Sequence, residues 1–76
     1  MLKILKDDDS VLIEFESATA GYAEELDDDR IVDYSLNPGK PIGVCLHNVD
    51  DGVKIKGLPN EDLVRSILNA LDVECR

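Results

Sequence analysis

The sequence predicts an α+β fold: an antiparallel β-meander of four to five strands with one C-terminal α-helix packed on one face. Three observations lead there. Residues 11–16 alternate apolar with polar or mixed side chains, which is the period of a half-buried strand. Several such short segments follow, separated by clusters of Asp, Gly and Pro. From Asn60 onward the apolar spacing changes to that of a helix.

Leu2–Leu5 is short, β-compatible and followed by Lys6 and an acidic turn, Asp7–Ser10, whose side chains can bond back to their own backbone. Val11, Ile13 and Phe15 then make one apolar face of a strand, with Leu12, Glu14 and Glu16 on the other. Residues 17–21 break it, and Gly21 is expected to turn the chain through positive φ. Tyr22–Leu26 forms a short strand, Asp27–Asp29 a turn, and Arg30–Ser35 another strand. Leu36–Lys40 carries adjacent Pro and Gly and is the strongest turn signal of the chain. Alternation resumes over Pro41–Asn48, with Ile42, Val44 and Leu46 on one side and Gly43, Cys45 and His47 on the other.

Asp50–Gly52 ends the strand region. Val53–Pro59 reads as an extended lead-in to a helix over Asn60–Asp72, with Pro59 near its start and Glu61 and Asp62 at the positive end of its dipole. Leu63, Val64, Ile67, Leu68 and Leu71 make its apolar stripe. The chain is therefore one domain over 1–76: meander 1–48, extended connection 49–59, helix 60–72. The face under the helix should hold Val11, Ile13, Phe15, Val32, Tyr34, Ile42, Val44 and Leu46. The opposite face carries Leu12, Glu14, Glu16, Ile31, Asp33, Cys45 and His47.

A chain of 76 residues has room for one core, and 43% hydrophobic residues are enough to build it. A formal net charge of −9, from 17 acidic and 8 scattered basic residues, opposes nucleic acid and anionic membrane surfaces as ligands. No apolar run reaches the roughly 20 residues of a membrane span, and the N-terminus turns acidic too soon for a signal peptide. A cytoplasmic setting is the expectation, with Cys45 and Cys75 reduced.

With the order of strands and turns laid out, residues 11–53 resemble the short bacterial and cyanobacterial proteins known as domain of unknown function 2283 (DUF2283). The likeness lies in the apolar strand Val11–Phe15, the small-residue segment after it, the acidic pair Glu24 and Glu25, the strand ending Val32–Tyr34, and the strand Ile42–Leu46 that follows a Gly-bearing turn. It extends over roughly Leu2–Val53. The turn at Ser35–Pro41 departs from the acidic turn common in that family. The resemblance implies a small antiparallel sheet with a helix and transfers no catalytic residues. Because some members are encoded beside small toxin-like proteins, it also implies an antitoxin or partner-binding role.

The acidic knot Glu24–Asp29 raises the question of a metal or catalytic centre, since five of its six residues are carboxylates. Neither it nor Asp7–Asp9 and Asp50–Asp51 has the spaced carboxylates of a calcium loop, so turns are expected and no metal or cofactor. Cys45 and His47 share a strand face and could form an activated thiol, but no oxyanion donor accompanies them. Ser10, Ser17, Ser35 and Ser66 have only His47 as a base, and nothing places any of them beside it.

The function expected from the sequence is thus a non-catalytic acidic interaction module, with no catalytic residues. Its partner is a second copy, in a homodimer, or a small basic protein in the manner of an antitoxin. The expected contact face is Leu12, Glu14, Ile31, Asp33, Cys45 and His47. The alternative is a small enzyme or metal-binding protein using Cys45, His47 and nearby carboxylates.

Overall fold

The computed structural model describes residues 2–36 and 39–76. Five strands form one antiparallel sheet: β1 (Lys3–Lys6), β2 (Ser10–Glu14), β3 (Ala20–Asp27), β4 (Arg30–Ser35) and β5 (Pro41–His47). One helix, α1 (Glu61–Ala70), follows a 3-10 turn at Val49–Asp51. The antiparallel sheet and C-terminal helix are those the sequence predicts. Among the described residues no helix is long and apolar enough to cross a membrane.

The order across the sheet is β1-β2-β5-β4-β3. Strands β1 and β2 form one hairpin and β3, β4 and β5 run as consecutive hairpins, but β2 pairs with β5 rather than with β3. Burial explains the arrangement. Val11 pairs with Leu46 and Ile13 with Val44, and all four side chains are fully buried. The strands with a continuous apolar face therefore occupy the middle, where the helix covers them. Strand β1 is exposed throughout, and β3 everywhere except Leu26, so the strands that tolerate water take the edges.

The core joins Val11, Ile13, Val32, Val44 and Leu46 of the sheet to Val64, Ile67 and Leu68 of α1 and to Val49, Val53, Ile55, Leu58 and Val73 around it. Ile42 is also buried, and Phe15 and Tyr34 pack against the cluster half-buried. The expected helix stripe needs one correction. Leu63 is 40% exposed, because it precedes Val64 by one residue and so lies about 100° away around the helix, toward solvent.

The helix is shorter than 60–72 at both ends. Asn60 caps it in the left-handed conformation. At the other end Asp72 has φ 59°, the Asp72 N–H donates to the Asn69 carbonyl (3.1 Å), and the Val73 N–H donates to the Leu68 carbonyl (2.8 Å). This is a Schellman closure, with Val73 and Leu68 supplying the apolar contact that accompanies it.

One local feature differs from expectation, and a second was not anticipated. Gly21 does not have positive φ and does not end a strand; it lies inside β3. A Cβ there would collide with the Leu36 backbone, so glycine is present to let two backbones approach. The segment beyond α1 is not a free tail. The Val53 N–H donates to the Glu74 carbonyl (2.7 Å) and the Arg76 N–H donates to the Val53 carbonyl (2.6 Å), a short parallel bridge along the connection. The Leu36–Lys40 turn falls partly on residues 37 and 38, outside the described residues. At its base the Ser35 N–H donates to the Lys40 carbonyl (2.9 Å).

Candidate functional site

The acidic knot divides between strand and turn. Glu24, Glu25 and Asp27 lie in β3, and only Asp28 and Asp29 form the bend into β4. Two of its carboxylates are engaged, by the backbone, one cation and one side-chain amide. Asp27 accepts from the Asp29 N–H (3.0 Å) and from the Arg30 Nε–H (2.8 Å), while Asp29 accepts from the Asn48 side-chain amide (2.6 Å). The Arg30 guanidinium, then the Asp29 N–H, hold the Asp27 carboxyl below its ordinary value.

Arg30 itself escaped sequence reading. It is 8% exposed, and its Nη1 donates to the carbonyls of Lys54 (2.9 Å) and Lys56 (2.7 Å). One side chain thus ties the β3–β4 hairpin to the connection before α1. The only signal in the sequence is a lone cation after an acidic run. Beside it lies a cleft of about 60 Å³ lined partly by Asp27, Asp29, Arg30 and His47. Its carboxylates are engaged by Arg30 and Asn48, as just described. A larger hollow of about 630 Å³ over the start of α1 is lined by Leu58, Asn60, Glu61, Asp62 and Leu63, and is a shallow, open surface rather than a catalytic pocket.

The other acidic runs are likewise turn devices. The Asp8 N–H donates to the Asp7 carboxylate (2.9 Å), and the Asp50 N–H to the Asp9 carboxylate (3.2 Å). Among the described residues no three His, Cys, Asp or Glu side chains converge to hold a metal ion.

The sheet face away from α1 brings the six expected residues together. Cys45 lies between Leu12 and Ile31 in the strand register, and Gly43 lies between Glu14 and Asp33. His47 pairs with Ser10 at the end of the face. Leu5 extends the apolar row beyond Leu12, and Glu25 closes it beyond Ile31. With strands about 4.8 Å apart, Leu5, Leu12, Cys45 and Ile31 form a band about 14 Å long. Leu5, 52% exposed, was missing from the expected set because the short first strand shows no alternation. Leu12, Ile31 and Cys45 are half-buried, and among the described residues the helix, the connection and Val73 all join the core on the other side.

The Cys45 Sγ lies 3.6 Å from the His47 Nε2, so the two do meet. Burial, and then the nearby Asp33 charge, push the Cys45 thiol up, away from the thiolate a nucleophile needs. Both cysteines are free thiols.

At the far end of β3, on the helix side of the sheet but beyond the helix, Tyr22 stacks on Tyr34 with ring centroids 4.9 Å apart and planes 6° apart. Tyr22 is 53% exposed and neighbouring Leu36 is 73% exposed. Neither figured in the expected face, because small and acidic residues surround Tyr22 in the sequence. No family model, curated protein or solved structure matches the chain.

Proposed function

We propose that this protein is a non-catalytic, acidic interaction module of the cytoplasm, and that it acts by pairing through the open face of its sheet. The observation that carries this reading is the uncovered band Leu5, Leu12, Cys45 and Ile31, flanked by Glu14, Asp33 and Glu25. An apolar centre with a charged rim is how a reversible protein contact is built. Stacking two such faces about 10 Å apart would give the open face of each copy a cover like the one α1 gives the other face. A two-fold dimer uses one patch twice, and it is the commonest oligomer. The resemblance to DUF2283 supports the same class of function, with a small basic protein as the other partner, in the manner of an antitoxin.

A second reading, a small thiol enzyme or metal protein, draws on the contact between Cys45 and His47. The raised Cys45 thiol weighs against it, and the interaction module is the better account.

Sedimentation equilibrium tests the dimer. Two copies of charge −9 repel, so association should tighten from low to high salt as that repulsion is screened. Ile31→Lys should leave a folded monomer. A monomer at both salts, at concentrations up to hundreds of micromolar, would refute self-pairing.

A further inference from the structure

We propose that the outer edge of β3 is a second docking surface, which takes an extended, arginine-bearing segment of a basic partner protein as an added strand. This rests on reading the chain as an interaction module but uses the backbone edge of β3 rather than the open face, with Glu25 common to both. Strand β3 is eight residues long, ends the sheet, and has no backbone hydrogen bond on its outer side to any described residue. An edge of that length is a template for another strand unless it is blocked. Its register shifts lie near its two ends, between Ala20 and Tyr22 and between Glu25 and Asp27, so Tyr22–Glu25 remains regular.

Charge selects the occupant. Glu24 and Glu25 lie in the regular stretch and Asp27 just beyond it, so a second β3 brought alongside would set carboxylates against carboxylates. A basic strand meets them favourably. The other edge, β1, carries Lys3 and Lys6 and is the wrong sign for such a partner. Tyr22 supplies an anchor: Tyr34 fixes one face of its ring, and it stands on the same side of the strand as Glu24 two residues on. A guanidinium opposite Glu24 can bond the carboxylate and lie over the exposed tyrosine. Leu36 adds apolar surface at the same end.

Calorimetry with an eight-residue peptide of alternating arginine and valine tests this. The expected result is saturable binding, weakened about three- to fivefold by Tyr22→Ala and by Glu24→Lys. Asp8→Lys, the same charge change at an exposed site in the turn between β1 and β2 at the opposite edge of the sheet, should weaken it less than about twofold, because screening confines the effect to nearby charges. Slowed amide exchange should fall on the outward N–H groups of Tyr22–Glu25. A peptide N-methylated at every residue, which has no N–H left to donate along either edge, should not bind. Equal losses in Glu24→Lys and Asp8→Lys, or equal binding of the N-methylated peptide, would mean generic charge attraction and overturn the proposal. Loss of peptide binding in Leu12→Lys, a change on the open face but two strands further from β3 than Ile31, would place the peptide on the open face and also overturn it. Retained peptide binding in that variant, with any dimer abolished, supports the edge whether or not the open face pairs. If the protein alone forms chains that both Glu24→Lys and Lys3→Glu dissolve, the edge belongs to β1 of a second copy, and a foreign partner is excluded.

Discussion

A guanidinium that leaves water must recover its hydrogen bonds from the protein, and Arg30 recovers them from Asp27 and two backbone carbonyls of the connection. Replacing it with methionine keeps much of the volume but leaves the carbonyls of Lys54 and Lys56 without that donor. Hydrogen bonds to a charged group contribute about 1.5–3 kcal/mol each, so Arg30→Met should destabilise the fold by at least about 2 kcal/mol. For a domain this small that lowers Tm by about 10 °C or more, read by circular dichroism. Lysine should not rescue it, since one ammonium cannot reproduce the planar fork that meets all three acceptors. Asp27 adds a pH dependence of definite sign. Its folded pKa is depressed, so the unfolded chain binds the proton more readily in acid. The stabilisation is complete above the ordinary carboxylate range, near pH 4, and is lost as pH falls through the lower folded value. Comparing acid unfolding curves, Asp27→Asn should differ from the parent above pH 4 and converge with it in stronger acid.

The elements divide into those written in the pattern and those written by context. Strands β2 and β5 and the helix were legible because each presents one apolar face to the core. Strand β3 was read as shorter than it is: an edge strand that packs only Leu26 against the core shows no alternation to read. The C-terminal bridge to Val53 was invisible because its bonds come from backbone groups that every residue possesses. The candidate face was legible as a set of neighbours, since alternation fixes the side of a strand, whereas Leu5 and the Tyr22 anchor depend on strand order. Two substitutions test the helix. Leu68→Asp places a carboxylate in the fully buried core and should cost several kcal/mol, enough to unfold the domain, while Leu63→Asp should change Tm by only a few degrees. Asp72→Gly should stabilise the protein by about 1 kcal/mol, because glycine adopts the left-handed closure without strain and removes an anion from the negative end of the helix. A fall in Tm for Asp72→Gly would mean that the Asp72 side chain contributes more than its backbone strain costs.

For the whole molecule the governing quantity is net charge. Seventeen carboxylates on a chain of 76 residues repel one another in the folded state more than in the expanded one, so any added salt should raise Tm somewhat. The same abundance of acid invites the thought of a divalent ion, and the two effects can be separated. Specific binding of calcium or magnesium needs several oxygens converging on one point, with a saturable stabilisation that grows as the logarithm of free metal. Here the acidic side chains bonded in the Asp7–Asp9 and Asp27–Asp29 turns are spent on N–H groups and on Arg30, which points their oxygens along the backbone rather than toward a common centre. Millimolar calcium, magnesium or zinc should therefore raise Tm no more than sodium chloride of equal ionic strength, in a titration followed by differential scanning calorimetry. A stoichiometric shift beyond that baseline, abolished by Asp27→Ala or Asp28→Ala, would show that the hairpin opens to coordinate metal. Asp27 must then exchange Arg30 for the ion, so the same titration in Arg30→Met should give a larger shift. Without such a site the metal response of that variant should match the parent, leaving charge screening as the whole of the effect.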